Sequence, residues 1–106
     1  MRRNYELSRD GSVLTIVLGE NLSAVNSPLL TEDLAPYVNQ GIEKVIFDAT
    51  NLTYISSGGI RVIFFCKKSL SEKDVEIVFL NTSNDILEVF DLVGIQPFIT
   101  FVNGRG

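Results

Sequence analysis

The stretch DATNLTYISSGGIRVIFFCKKSL, residues 48–70, decides how this chain is expected to fold. Just before it, the run VIF at residues 45–47 is too short and too β-branched for a helix, and it predicts a buried strand that ends near Asp48. The tetrapeptide SSGG at residues 56–59 then interrupts the apolar pattern, and from Ile60 onward the apolar residues recur at helical spacing. The stretch therefore predicts a strand, a loop containing serine and glycine, and a helix.

The serines of this loop have two roles available to them. A serine directly before a helix can accept a hydrogen bond from a free backbone N–H of the first turn, as an N-cap. The same position also favours a phosphate, because the free N–H groups and the positive end of the helix dipole attract an anion. Gly58 and Gly59 have no Cβ atoms and are expected to leave the loop surface open to a partner or an enzyme.

The helix that follows the loop has two predicted faces. Its inward face contains Ile60, Ile63, Cys66 and Leu70, with Val62 and Phe64 at the margins. Arg61 and Phe65 fall on the outward, solvent-facing side. Phe65 is either an ordinary isolated apolar surface residue or a contact for a protein partner, since aromatic side chains are favoured in interfaces.

Strands and helices alternate along the rest of the chain. An opening hairpin is predicted at residues 4–18, and further strands are predicted at residues 75–80 and 98–102. The resulting order is β-β-α-β-α-β-α-β. It predicts one α/β domain over residues 1–106, in which three to four helices cover a mixed, four- to five-stranded sheet.

Start and stop signals bound the first of the helices. It is expected to begin with Ser27 as N-cap and Pro28 at its first position, and to end at Gly41. Pro36 lies inside this span and should kink the helix or shorten it to about two turns. The last helix is expected at residues 85–93, after a group of polar residues that can cap it.

Composition narrows the chemistry that the chain can perform. A net charge of −4 and scattered basic residues argue against a nucleic-acid partner. The sequence has no apolar run of about 18 residues and its N-terminus lacks the apolar core of a signal peptide, so we expect a cytoplasmic protein that does not insert into a membrane. With no histidine and with Cys66 as the single cysteine, a Ser-His catalytic pair, an intramolecular disulfide and a Cys/His zinc site are excluded. No catalytic residue, metal or cofactor is expected.

The string YISSGGIRV at residues 54–62, which follows the predicted strand at residues 45–48, resembles the signature of the STAS domain family. This family includes the bacterial anti-sigma factor antagonists. The resemblance extends over nearly the whole chain, because the early strand, the sequence NSP at residues 26–28 and the closing segment FDLVGI at residues 90–95 occur in the same order. It implies a STAS-like fold.

The resemblance also implies a binding protein that is switched by phosphorylation. Antagonists of this family bind an anti-sigma factor that is also a serine kinase, and so free a sigma factor. The kinase phosphorylates a serine in the signature loop, and a PP2C-type phosphatase removes the phosphate. An alignment without gaps places the phosphoacceptor at Ser57. The partner-binding surface that this implies comprises Asn21, Ser23, Asn26, Ser56, Gly58, Gly59, Arg61 and Phe65.

The sequence leaves several alternatives open. Many antagonists have Asp directly before the acceptor serine and an acidic residue in the loop after the first core strand, where this chain has Ser56 and Ser23. Besides a phosphoacceptor at Ser57, these two departures leave open a STAS domain that binds without phosphorylation, or one that is phosphorylated on Ser56. An accessory subunit of a transporter or a sensory complex is the alternative function. A small enzyme that uses Asp48 and Ser57 is a third hypothesis, and a homodimer is compatible with the exposed helix face.

Overall fold

A computed structural model describes residues 3–103, which form a five-stranded mixed sheet, a separate two-stranded pair and three α-helices. The strands are β1 (Tyr5–Asp10), β2 (Val13–Leu18), β3 (Asn21–Leu22), β4 (Lys44–Asp48), β5 (Tyr54–Ile55), β6 (Glu76–Leu80) and β7 (Thr100–Val102). The helices are α1 (Asn26–Leu34), α2 (Ser57–Ser69) and α3 (Asn84–Val93), with short 3-10 helices at Ala35–Tyr37 and Gln96–Phe98. The predicted α/β class and the order of the main elements are confirmed.

The main sheet has the strand order β1-β2-β4-β6-β7. β1 and β2 form the expected antiparallel hairpin, and the other neighbouring strands are parallel. Successive parallel strands are joined through α1, α2 and α3. Since such connections are right-handed and these advance in one direction across the sheet, all three helices cover the same face. The alternation in β2 agrees with this, because Leu14, Ile16 and Leu18 are buried while the residues between them are half-buried.

Aromatic side chains fill the centre of the core between this sheet face and the helices. The rings of Phe47 and Phe79, on neighbouring strands, stack with centroids 4.8 Å apart. Phe90 of α3 meets Phe79 edge-on at 5.2 Å. These are the largest side chains that are fully buried, so they fix how α3 sits on the sheet.

The start of α1 differs from the prediction. The helix begins at Asn26, so Ser27 is a buried residue of the first turn and is not the N-cap. Val25 occupies the N-cap position and has no side-chain oxygen to offer. The hydroxyl of Ser23 accepts hydrogen bonds from the backbone N–H groups of Val25 at 3.2 Å and Asn26 at 3.3 Å. Ser23, two residues before the N-cap position, therefore caps the helix in place of Val25.

The end of α1 is determined by Pro36 and not by Gly41. The α-helix stops at Leu34 and continues as the 3-10 helix Ala35–Tyr37, as expected for a proline that lacks an N–H and crowds the preceding turn. The predicted shortening is therefore confirmed, and the predicted helix end at Gly41 is wrong. Gly41 lies in the connection to β4, with φ of +81°, a conformation that favours glycine.

Helix α2 begins at Ser57 rather than at Ile60. Gly58 and Gly59 were expected to interrupt the chain before the helix, but they lie inside its first turn. The helix tolerates them because Ser56 caps its N-terminus and because Gly59 packs closely against its surroundings, as described below.

The inward face of α2 is largely as predicted. Ile63, Cys66 and Leu70 are buried, and Val62, expected at the margin, is buried as well. Ile60, which was expected to face inward, is only half-buried.

The outward placement of Phe65 is wrong. Phe65 is half-buried and packs against the core, because α1 lies alongside α2 on that side. The exposed aromatic residue of α2 is Phe64, whose ring contacts that of Phe98 with centroids 5.8 Å apart.

The closing strand is shorter than predicted, since β7 begins at Thr100 and the residues just before it form the 3-10 helix Gln96–Phe98. α3 ends at Val93, and Gly94 follows it as the C-terminal cap in the left-handed conformation, with φ of +74°. The first two and last three residues of the predicted 1–106 domain lie outside the described part of the chain. Within residues 3–103, the helices are too short and too polar to cross a membrane.

Candidate functional site

A short parallel pairing, which the sequence did not reveal, brings two loops together. β3 pairs with β5, with Asn21 opposite Tyr54 and Leu22 opposite Ile55. The backbone N–H of Ser56 then donates to the carbonyl of Leu22 at 2.9 Å. This pairing places residues 21–26, the asparagine loop, beside residues 56–59, the serine loop.

The two serines of the serine loop have different environments. Ser56 is the N-cap of α2, and its hydroxyl accepts a hydrogen bond from the backbone N–H of Gly59 at 3.2 Å. Ser57 is the first residue of α2, and its side chain is exposed. Its hydroxyl makes no hydrogen bond to any group in residues 3–103. The structural role therefore belongs to Ser56, while Ser57 is available at the surface.

The two glycines also differ from each other. A Cβ atom on Gly59 would lie 2.6 Å from Cγ1 of Ile55 and 3.0 Å from the carbonyl oxygen of Leu22. Gly59 is therefore a packing residue, buried against β3 and β5, and it does not open the loop to a partner. Gly58 is half-buried, and a Cβ atom there would lie 3.3 Å from Cβ of Ser27 in α1. Of the two, Gly58 alone borders an accessible surface.

The asparagine loop is held by its own side chains. The Asn26 side-chain amide donates to the backbone carbonyl of Asn21 at 3.0 Å, and its Oδ1 accepts from the backbone N–H of Ser23 at 2.6 Å. Asn26 is buried, while Asn21 and Ser23 are half-buried. The buried Asn26 side chain therefore holds the conformation of the loop, whereas Asn21 and Ser23 are partly accessible to solvent.

A groove lies where the two loops meet the helices. It has a volume of about 400 Å³. It is lined by Ala24, Ser27, Pro28, Thr31, Gly58, Arg61 and Phe65. Gly58, Arg61 and Phe65 were predicted at the site, whereas Ser27, Pro28 and Thr31 of α1 were not. No sequence signal identified these three, because their position depends on how α1 packs against α2.

Arg61 is the charged residue of the groove. Its side chain is exposed and forms no ion pair within the described part of the chain. It lies one helical turn after Ser57, and residues four apart on a helix are neighbours on its surface. Ser57 and Arg61 therefore share one side of the first two turns of α2.

Other candidate groups have structural roles. Asp48 accepts hydrogen bonds from the N–H and hydroxyl of Thr50, at 3.1 and 2.6 Å, as expected of a turn residue. Cys66 is fully buried, and burial raises the pKa of its thiol well above the ordinary range, which disfavours the reactive thiolate. Residues 3–103 contain no group of three or more His, Cys, Asp or Glu side chains that could hold a metal ion.

The sequence profile of the STAS domain matches residues 4–105, which is nearly the whole chain. The chain belongs to the STAS domain family. BtrV of Bordetella bronchiseptica, provisionally named an anti-sigma factor antagonist, is 30% identical to this chain over 96 residues, which cover 91% of this chain and 82% of BtrV. The anti-sigma-B factor antagonist of Staphylococcus aureus is 25% identical over 99 residues, covering 93% of this chain and 92% of that protein.

Solved structures agree with the STAS fold. The unphosphorylated form of the anti-sigma factor antagonist SpoIIAA superposes with a TM-score of 0.78 at 16% identity, covering 95% of this chain and 90% of SpoIIAA. The phosphorylated form of the Bacillus protein SpoIIAA superposes with a TM-score of 0.70 at 17% identity, covering 95% and 93% of the two chains. At this level of identity the likeness shows the fold alone.

Proposed function

We propose that this STAS-domain protein is an anti-sigma factor antagonist, which binds an anti-sigma factor that is also a serine kinase and thereby releases a sigma factor. The observation that carries the proposal is the exposed Ser57 hydroxyl, which makes no hydrogen bond within residues 3–103 and lies at the first position of α2. The names of the relatives support the same function. In this account the protein acts by binding and is not an enzyme.

The kinase partner switches the protein off by phosphorylating Ser57. The Ser57 oxygen attacks the γ-phosphorus of ATP, the bond from that phosphorus to the bridging oxygen of ADP breaks, and the hydroxyl proton is released. A PP2C-type phosphatase restores the hydroxyl by hydrolysis. Ser57 fits the acceptor role better than Ser56, because the Ser56 hydroxyl is already engaged in capping α2.

The phosphate would act on the interface rather than on the fold. A phosphoserine adds about −1.5 to −2 charges and three acceptor oxygens. At the N-terminus of α2 this charge meets free N–H groups and the positive end of the helix dipole, so the folded state tolerates it. A partner that covers Ser57 would have to remove water from the dianion, which opposes binding.

The partner-binding surface centres on Ser57 and includes the exposed and half-buried residues around it. These are Asn21 and Ser23 of the asparagine loop, and Gly58, Arg61 and Phe65 of α2. Asn26, Ser56 and Gly59 support this surface from below, through the hydrogen bonds and close packing described above. Loss of these three would disturb binding indirectly, by altering the loops.

A release experiment tests the proposed function. The unmodified protein is added to a preformed complex of the serine-kinase anti-sigma factor and the sigma factor encoded alongside it, and the products are separated by size-exclusion chromatography. We expect free sigma factor and a new complex of this protein with the anti-sigma factor. Sigma factor that stays bound in the presence of excess protein would refute the proposal.

A further inference from the structure

The groove between α1 and the first turns of α2 has a cationic residue and no acidic residue in its lining. Arg61 is its one charged lining residue, and it has no acidic partner within residues 3–103. The first turns of α1 and α2 both border the groove, and neither first turn contains an acidic residue. Helix N-termini carry partial positive charge, so the two helices add to the potential of Arg61.

The groove also contains a polar group that nothing in the described chain satisfies. Ser27 is 2% exposed, and its hydroxyl has no hydrogen-bond partner within residues 3–103. A buried hydroxyl without a partner is unfavourable, and most such groups are hydrogen-bonded. Apart from Arg61, the polar side chains of the lining are those of Ser27 and Thr31, and the Ser27 hydroxyl lies beside Gly58.

We propose that this groove receives a carboxylate-bearing side chain of the protein partner. Its apolar stem would pack on Pro28 and Phe65, and its carboxylate would bind the guanidinium of Arg61. An arginine guanidinium suits this role because its N–H groups match the two oxygens of a carboxylate. The assignment rests on the proposed function, since it names the chemistry by which the anti-sigma factor docks beside Ser57.

The same arginine links docking to phosphorylation. Ser57 and Arg61 are four residues apart on α2, with the serine nearer the N-terminus, which is the favourable order for an acidic group and a basic group on a helix. A phosphate on Ser57 therefore competes with the partner carboxylate for Arg61. Phosphorylation would then weaken binding in two ways, by placing a dianion in the interface and by withdrawing the cation from the groove.

The first test measures binding of the serine-kinase anti-sigma factor by isothermal titration calorimetry. Arg61→Gln should raise the Kd by about tenfold or more, the range for loss of a charge-assisted hydrogen bond. Lys73→Gln is the matched control, because Lys73 is exposed, forms no ion pair within residues 3–103 and lies outside the groove, and it should leave the Kd unchanged. If the wild-type protein binds and Arg61→Gln binds equally well, the groove assignment is wrong. If the wild-type protein does not bind, the proposed function fails and the groove assignment fails with it.

The second test needs no partner. Phosphoserine is introduced at position 57 by codon suppression, and the second ionisation of the phosphate is followed by 31P NMR. With Arg61 present, the midpoint should lie about 0.3 pH unit lower than in Arg61→Gln, because a nearby cation favours the dianion. Lys73→Gln should leave the midpoint in place. Equal midpoints with and without Arg61 would overturn the link between the phosphate and the groove.

Discussion

The hydroxyl of Ser56 accepts a hydrogen bond from the backbone N–H of Gly59 at 3.2 Å, and this bond caps the helix that begins at Ser57. The two neighbouring serines therefore contribute differently to stability. Ser56→Ala should lower the free energy of unfolding by about 1 kcal/mol, the usual cost of losing an N-cap. Ser57→Ala removes an exposed hydroxyl that makes no hydrogen bond within residues 3–103. It should therefore change the free energy of unfolding by less than about 0.5 kcal/mol.

Urea denaturation followed by circular dichroism measures both changes. Ser83→Ala is the matched control, because Ser83 caps α3 in the same way, with its hydroxyl 3.3 Å from the N–H of Ile86. Ser83→Ala should lower the free energy of unfolding by about as much as Ser56→Ala does. A Ser57→Ala variant that loses as much stability as Ser56→Ala would contradict the division of roles between the two serines.

The second prediction concerns Gly59 and its neighbour Gly58. Gly59→Ala should destabilise the protein by about 1–3 kcal/mol, because its Cβ atom would lie 2.6 Å from Ile55 Cγ1 and 3.0 Å from the Leu22 carbonyl oxygen. Gly58→Ala should be close to neutral, since its nearest contact is 3.3 Å and alanine gains about 1 kcal/mol over glycine in a helix. Urea denaturation of both variants compares the two positions. Equal stability of the two variants would show that Gly59 is not constrained by packing.

The third prediction concerns alkaline stability. The Tyr5 hydroxyl donates to the Asp33 carboxylate at 2.6 Å. Burial and this hydrogen bond raise the pKa of Tyr5 to about 12, above its ordinary value near 10. A raised folded-state pKa means that the contribution of the neutral hydroxyl is complete below about pH 10 and is lost as the pH rises towards 12.

Urea denaturation between pH 9 and about pH 12 tests this, with Tyr5→Phe as the comparison. The wild-type protein should lose stability more steeply over this range than Tyr5→Phe, which has no hydroxyl to ionise. Parallel pH profiles for the two proteins would show that Tyr5 ionises equally easily in the folded and unfolded states.

Much of the fold followed from apolar periodicity. The buried strands and the three helices were predicted in order, because strand and helix spacing in this chain is clear wherever a face is buried. The positions that failed depend on contacts between distant segments. Ser27 is followed by Pro28, a pattern typical of a helix start, yet the hydroxyl of Ser23 does the capping and Ser27 is buried under α2.

The candidate site was predicted only in part for the same reason. Arg61 and the serine loop could be placed from sequence, because both lie at the start of one helix. Phe65 was assigned to the wrong environment, because helical periodicity does not reveal that α1 packs alongside α2. β3 and β5 have only two residues each, which is too short for a strand pattern to be recognised in the sequence. Their pairing nevertheless places the asparagine loop beside the serine loop.

The most direct test of the central claim is the intact mass of the protein after incubation with the serine-kinase anti-sigma factor and ATP, compared with Ser57→Ala and Ser56→Ala. We predict a gain of one phosphate in the wild-type protein and in Ser56→Ala, and no gain in Ser57→Ala. A stable complex without any gain of phosphate would contradict the switch and favour a STAS accessory subunit that binds a constitutive partner. If the wild-type protein and Ser57→Ala gain a phosphate and Ser56→Ala does not, the phosphoacceptor is Ser56.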